Sequence, residues 1–349
     1  MKILLFTDVH WAQNSSIIRQ MSNKYSLRLE QLIKSLNWVN ECAIKFNCSL
    51  MVCAGDFFDK NFCSDMELTA IKEINWNQLP CYFLCGNHES SVADLRYNVT
   101  KSLESNNHII ISQPTSLDEA EYQLCFLPYI LEDNKKSLIE YFSTKPITKR
   151  RIIISHNDIL NAVYGNFVSK LGFSIEDIES HCDLFLNGHI HNMGWVTPKI
   201  LNLGSFTAHN FTNDSEKYQY GVWILDTETL EMKFVENPYA FNFYKFDIDV
   251  EADINKLDII KNNAVLSLRC EQSLLPQLKQ HLAELKNRIV ESRTVAYRTI
   301  KATEGGEEIT TLATTDHIAL FEKFAMEQIE DKVITKEELG ILRTLGGMD

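Results

Sequence analysis

Seven residues of the types that bind metals or move protons stand just after strand-like runs: Asp8, His10, Asp56, Asn87, His156, His189 and His191. Residues 2–7 (KILLFT) end in Asp8-Val9-His10, and residues 50–54 (LMVCA) stop at Gly55, just before Asp56 and Asp59. Residues 81–85 (CYFLC) break at Gly86-Asn87-His88-Glu89, residues 151–155 (RIIIS) at His156-Asn157-Asp158, and residues 183–187 (DLFLN) at Gly188-His189-Ile190-His191. A single histidine is ordinary core or surface material. A set of them at strand ends is not, because ligands of open α/β sheets collect beyond the carboxyl ends of strands. Mixed oxygen and imidazole donors suit Mn²⁺, Fe²⁺ or Zn²⁺. Seven donors exceed what one ion needs. Two ions about 4 Å apart would use them all if one carboxylate bridges, and such a pair clamps the attacking and leaving oxygens of a phosphoryl displacement. The chemistry predicted is hydrolysis of a phosphoester. His88, beside Asn87, is left to protonate the leaving oxygen or to stabilise charge in the transition state.

Strands and helices must carry these tips. Leu29, Leu32, Leu36, Val39 and Ala43 recur at helical spacing up to about Phe46, and a second helix is expected over residues 64–74. Strand, helix and strand thus lead from Asp8 to Asp56 and on to Asn87. Gly86-Asn87 also reads simply as a sharp turn, since both residues tolerate left-handed backbone. Residues 108–112 and 123–129 are strand-like without ligands, and residues 220–238 form a hairpin turning at Asp226-Thr227-Glu228-Thr229. Further on, FNFYKFDID and VLSLR read as strands, and residues 275–290 as a helix with Leu278, Leu282, Leu285 and Ile289 apolar. Gly305-Gly306-Glu307-Glu308 reads as a linker before two short amphipathic helices. One carries Ile318, Phe321, Phe324, Ala325 and Ile329, and the other starts at Thr335 with Glu338 completing a capping box.

The chain has 349 residues, 45% of them hydrophobic, enough for one large domain and one or two small ones. It contains no 18-residue apolar run. Its first residues, MKILLFTDVH, meet an acid too early for a secretory signal, so an intracellular, cytoplasmic protein is expected. Nine cysteines without a CxxC pair read as small buried hydrophobes rather than disulfides or a zinc site. A net charge of -13 argues against nonspecific coating of nucleic acid. A DNA substrate would need a local basic surface, a partner or bound metal. Candidates for phosphate contact are Arg19, Lys24, Arg28, Lys60, Arg96 and Lys149-Arg150-Arg151, although a charge run before a strand is usually a solvated turn.

In order, the motifs DVH, GDFFD, GNHE, a histidine after a strand and GHIH resemble those of the calcineurin-like metallophosphoesterases. The resemblance implies an α/β fold of two stacked mixed β-sheets flanked by helices, an αββα sandwich, to which the residues beyond 245 add a small α/β capping module and C-terminal helices. It implies that Asp8, His10, Asp56 and His191 hold one metal and Asp56, Asn87, His156 and His189 the other. It also leaves His88 catalytic, with Glu89 and Asp59 in support. Within that superfamily, GDFFD, GSF followed by KYQYGVWILD, and NPYAFNFYKFDID look like the SbcD nuclease family, and the compact length is similar to its phage-type recombination subunits. That likeness implies a nuclease domain over 1–245, a DNA-binding capping module over 246–304, and a linker with a partner-binding helix pair over 305–349. It also implies Mn²⁺, with Mg²⁺, Fe²⁺ or Zn²⁺ as alternatives, a DNA substrate, and a homodimer within a heterotetramer with an SbcC-like coiled-coil ABC ATPase. Trp11-Ala12 stands where leucine and glycine are usual, SHND where a glycine-histidine pair is usual, and Glu89 where aspartate is more frequent. Two other readings stay open: a phosphoesterase acting on cyclic nucleotides or phosphoproteins, and a non-catalytic scaffold of the same fold. The C-terminal helices would equally pack back on their own domain.

Overall fold

The computed structural model describes residues 1–13, 18, 21–22, 24–89, 95–143, 148–164, 167–211 and 219–298. The linker and helix pair expected beyond residue 304, and Arg19, lie outside the described residues. The chain divides into two compact units, Met1–Phe243 and Tyr244–Asp349.

The first unit opens with β1 (Lys2–Phe6), α1 (Leu27–Lys45), β2 (Leu50–Cys53), α2 (Asp65–Ile71), β3 (Cys81–Leu84) and β4 (His108–Ile111). Then come β5 (Thr115–Asp118), β6 (Tyr122–Leu127), α3 (Leu138–Tyr141), β7 (Arg150–Ser155) and the short strands β8 (Ile159–Leu160), β9 (Val163–Tyr164), β10 (Phe167–Val168) and β11 (Phe173–Ser174). It closes with α4 (Ile175–His181), β12 (Leu184–Asn187), β13 (Gly194–Thr197), β14 (Ile200–Asn202) and the hairpin β15 (Gly221–Asp226) and β16 (Met232–Glu236).

Two six-stranded sheets result, ordered β16-β15-β1-β2-β3-β4 and β13-β14-β12-β7-β6-β5. Each is parallel at its centre and antiparallel toward an edge, with β1, β2, β3 and β4 parallel in one and β6, β7, β12 and β14 parallel in the other. Because successive side chains of a strand point to opposite faces, the apolar runs serve two cores. Ile3 and Leu5 of β1 join Phe126, Ile152, Ile154 and Leu186 of the second sheet in the layer between the sheets. Leu4 and Phe6 pack with Leu29, Leu32, Leu36 and Val39 of α1 on the outside. Ile153 and Phe185 do the same with Leu138 of α3 and Ile178 of α4. This is why the central strands read as continuous apolar runs rather than alternating ones. Each fully buried leucine contributes roughly 1.5–3 kcal/mol. Ser26 caps α1 by accepting the amide of Leu29, worth about 1 kcal/mol.

The second unit is built on most of β17 (Asn242–Ile248), with β18 (Ala264–Glu271), α5 (Leu275–Glu284) and β19 (Ile289–Tyr297), in the order β17-β18-β19. Its core holds Tyr244, Ile248, Leu266, Leu268 and Leu278. The helix expected to run to Val290 stops at Glu284, and Ile289 and Val290 open a strand parallel to β18. The apolar spacing carries on past the break, but the β-branched residues Ile289, Val290, Thr294 and Val295 fit a pleated strand better than a helix. All nine cysteines are free and all but Cys63 are buried. No described helix is long and apolar enough to cross a membrane.

Candidate metal centre

The ends of β1, β2, β3, β7 and β12 meet at one edge of the two sheets. Asp8, His10, Asp56 and His189 all have positive φ, at 52°, 48°, 48° and 68°. Non-glycine residues rarely adopt this backbone, and it persists only where surrounding contacts hold it. Those contacts are present. The amide of Asp8 donates to the carbonyl of Gly55 (3.1 Å), that of His10 to Asp56 (3.1 Å), and that of Trp11 to Phe57 (2.6 Å). The tips of β1 and β2 are thereby tied together. Gly55 has φ +104°, and a Cβ there would lie 2.1 Å from His156 Nδ1, so only glycine lets β7 bring its imidazole in.

Each carboxylate has one oxygen held by protein and one turned inward. Asp8 Oδ2 accepts from the Thr7 hydroxyl (2.6 Å) and the His189 amide (3.1 Å). Its Oδ1 is buried and has no hydrogen-bond partner, with His191 Nε2 at 3.4 Å and His10 Nε2 at 3.9 Å. Asp56 Oδ1 accepts from the His88 amide (3.0 Å). Its Oδ2 lies 3.1 Å from His156 Nε2 and 4.0 Å from both His10 Nε2 and His88 Nε2. On one side, His10 Nε2 and His191 Nε2 are 3.1 Å apart. On the other, Asn87 Oδ1 lies 3.3 Å from His156 Nε2 and 2.9 Å from His189 Nδ1.

Donors bound to one ion at about 2.1 Å and at right angles lie about 3 Å apart. The two clusters match that spacing, and an orphaned buried carboxylate oxygen points into one of them. The residues present therefore fit two divalent ions sharing Asp56, with Asp8, His10 and His191 on one side and Asn87, His156 and His189 on the other. All seven sequence-predicted ligands are brought together.

The imidazoles are oriented from behind. The Ala54 carbonyl accepts from His156 Nδ1 (2.7 Å), leaving Nε2 free to ligate. Asp59 Oδ1 lies 3.2 Å from His10 Nδ1, and Asp158 Oδ2 lies 3.4 Å from His189 Nε2. Such carboxylate–histidine pairs fix ring orientation and raise donor strength. Burial alone would raise the Asp56 carboxyl, but His156, His10 and His88 hold it well below the usual carboxylate range. Asp8 is likewise lowered against its burial, chiefly by His191 and His156. For His156, burial opposes the charge, yet Asp56 and Asp8 lift the imidazole to about 9.

Of the two residues expected to support His88, Asp59 holds it through its backbone carbonyl, while the Glu89 carboxylate is engaged elsewhere. His88 Nδ1 donates to the Asp59 carbonyl (2.8 Å), and its half-exposed ring turns Nε2 toward Asp56. Glu89 is fully buried and accepts the amides of Phe58 (3.1 Å) and Gly86 (2.6 Å), fixing the two turns that carry Asp56 and Asn87. Burial and the nearby Asp56 push its carboxyl up to about 7. Two expected phosphate contacts are not available at the surface. Arg28 is buried with its guanidinium on the His10 carbonyl, and Arg151 is buried on Gln123 and the carbonyls of Phe142 and Ser143. Lys24 pairs with Glu73, and Lys149 lies 3.8 Å from Asp118.

One residue at the site carries no motif. His209 lies within reach of His10 and His191 as a potential donor, its ring 4.5 Å from the first and 5.1 Å from the second.

Three solved structures share low similarity. The protein TT1561 of Thermus thermophilus has TM-score 0.39 at 9% identity, over 67% of this chain and 98% of its own. A dimetal phosphatase from Danio rerio has TM-score 0.39 at 12% identity, over 64% and 91%. Yfce, a phosphoesterase from E. coli, has TM-score 0.33 at 11% identity, over 68% and 100%. No curated protein sequence matches. The sequence model of the calcineurin-like phosphoesterases, by contrast, matches residues 1–225 of the 349, which takes in every ligand described above. The chain belongs to the calcineurin-like phosphoesterase family.

Proposed function

We propose that this chain is a Mn²⁺-dependent DNA nuclease, acting as a 3′ to 5′ exonuclease on duplex ends and an endonuclease on single strands. In this reading it is the nuclease subunit of an SbcCD-like complex in recombination, repair or replication, in the cytoplasm of its cell or, if phage-encoded, of the host. The observation that carries the hydrolytic part is the placement of Asp56 Oδ2 among the Nε2 atoms of His156, His10 and His88. The bound ions supply Lewis acidity and a nucleophile at neutral pH. Asp56 joins the two ligand groups, while Asp8, His10, Asn87, His156, His189 and His191 fix the donors around them. His88 is the one imidazole of the cluster whose Nδ1 is spent on a backbone carbonyl and whose ring is open to solvent, so its Nε2 can meet the leaving oxygen. The DNA part is supported by the GDFFD and NPYAFNFYKFDID resemblance and by the separate second unit, for which a minimal phosphodiesterase has no need. The ATPase partner rests on the same resemblance.

The test uses Mn²⁺ and a linear duplex. Wild type should release nucleotides, while His88→Ala should keep its ions and lose activity by about 10²–10⁴. Wild type inert on DNA, both alone and with the co-purifying ATPase from the neighbouring reading frame, yet active on bis-p-nitrophenyl phosphate would move the assignment to another phosphoester. Absence of Mn, Fe and Zn after reconstitution would favour a scaffold.

A further inference from the structure

We infer that Arg28 and His209 form a polar brace that holds the end of β1 in the left-handed backbone aiming Asp8 and His10 at a shared ion; this rests on the two-ion reading of the site. Arg28 Nη2 donates to the His10 carbonyl (2.9 Å) and lies 3.2 Å from His209 Nδ1. His209 Nε2 lies 2.9 Å from the Asp8 carbonyl. A guanidinium can only donate and a carbonyl can only accept. His209 is therefore the neutral tautomer with Nδ1 accepting and Nε2–H donating, and both its nitrogens are used. In this geometry it is a support for the ligands, not one of them.

The brace completes a set. The amides of Asp8 and His10 are already taken by Gly55 and Asp56 at the end of β2. Arg28 and His209 take the two carbonyls. With all four backbone groups engaged, the positive φ angles of Asp8 and His10 are held from both sides. The segment carrying His209 is anchored for this. The Ser205 amide donates to the His191 carbonyl (3.1 Å) and the Phe206 amide to Thr7 (3.1 Å). On α1, Arg28 and Ser35 share the face a helix repeats every seven residues. Ser35 accepts from Asn237 Nδ2, which also donates to the Phe206 carbonyl. This buried polar face of α1 thus supports the stretch that links His191 to the tip of β1. An arginine only 4% exposed is costly to bury, and what the fold obtains from it is its contact with the His10 carbonyl and the anchoring of His209 on the Asp8 carbonyl.

The experiment compares wild type, His209→Ala, His209→Gln and Arg28→Ala, with His191→Ala as the control that removes a ligand of the same ion. Glutamine offers an oxygen to accept and an amide to donate, so it can replace the brace but not an imidazole ring. In metal-free protein, amide hydrogen exchange of His10 and Trp11 should rise at least about tenfold in both alanine brace variants and return to near wild type in His209→Gln. In equilibrium dialysis with Mn²⁺, one of the two ions should weaken by about 10–100-fold in those alanine variants, the same one that His191→Ala loses, and His209→Gln should restore it. Unchanged exchange in His209→Ala, equal weakening of both ions, or a glutamine variant that behaves like alanine overturns the brace. A wild type that takes up no Mn²⁺ would end the two-ion reading, and the exchange comparison in metal-free protein would still decide whether the brace exists.

Discussion

Asp56 and Glu89 are both buried acids, in the adjoining turns after β2 and β3, yet their surroundings give them opposite roles. Asp56 faces three imidazoles and stays ionised, whereas burial and the nearby Asp56 disfavour the charge of Glu89 more than its two backbone amide donors favour it. Replacing Asp56 with Asn removes the one charge shared by both ligand groups. Mn²⁺ stoichiometry by equilibrium dialysis should then fall at both positions, whereas His10→Ala or His156→Ala should lose chiefly one. Glu89→Ala instead orphans the amides of Phe58 and Gly86, at about 1–3 kcal/mol each, and urea unfolding of the metal-free protein should show a loss of that order. A loss under about 1 kcal/mol would mean that the turns hold themselves. The seven candidate ligands that the fold brings together were legible in the sequence because coordination demands particular side chains at strand ends. Arg28 and His209 were not, because their partners are backbone carbonyls, which no sequence advertises, and the two residues are 181 positions apart.

At the scale of elements, the strands were legible because the central ones are buried on both faces, so their apolar runs are unbroken. α5 and β19 were not separated because a helix stripe and the first residues of a strand can share apolar spacing, and the parallel pairing with β18 that decides between them is nonlocal. The β2 turn tests how far one element depends on another. Gly55 sits where a Cβ would meet the His156 ring at 2.1 Å and where φ is +104°. Gly55→Ala should therefore cost at least about 1–3 kcal/mol from backbone strain, with a further loss from the displaced ring. Thermal unfolding should report the stability, and Mn²⁺ dialysis should show the Asn87, His156 and His189 position weakened more than the other. Equal weakening, or none, would mean that β7 can re-seat its histidine without the glycine.

For the whole molecule, the question is what the residues beyond the first unit add. Among the described residues, every candidate ligand and three hydrophobic clusters lie within Met1–Phe243, while the fourth cluster lies wholly in the second unit. A chain cut after Phe243 keeps both six-stranded sheets and should unfold cooperatively. It should also bind Mn²⁺ and hydrolyse bis-p-nitrophenyl phosphate within a fewfold of the full chain. DNA is a different demand. The net charge of -13 repels a polyanion, two of the basic residues of the first unit are buried, and Lys24 is paired with Glu73. If the residues after Phe243 supply phosphate contacts, nuclease activity on a linear duplex should drop far more than activity on the small ester when that part is removed. The salt dependence of DNA binding should flatten too, since its slope counts the phosphates neutralised. Parallel losses on both substrates would instead place the second unit in support of the catalytic fold. Undiminished cutting of DNA by the truncated chain would show that the ions and the first unit alone overcome the charge.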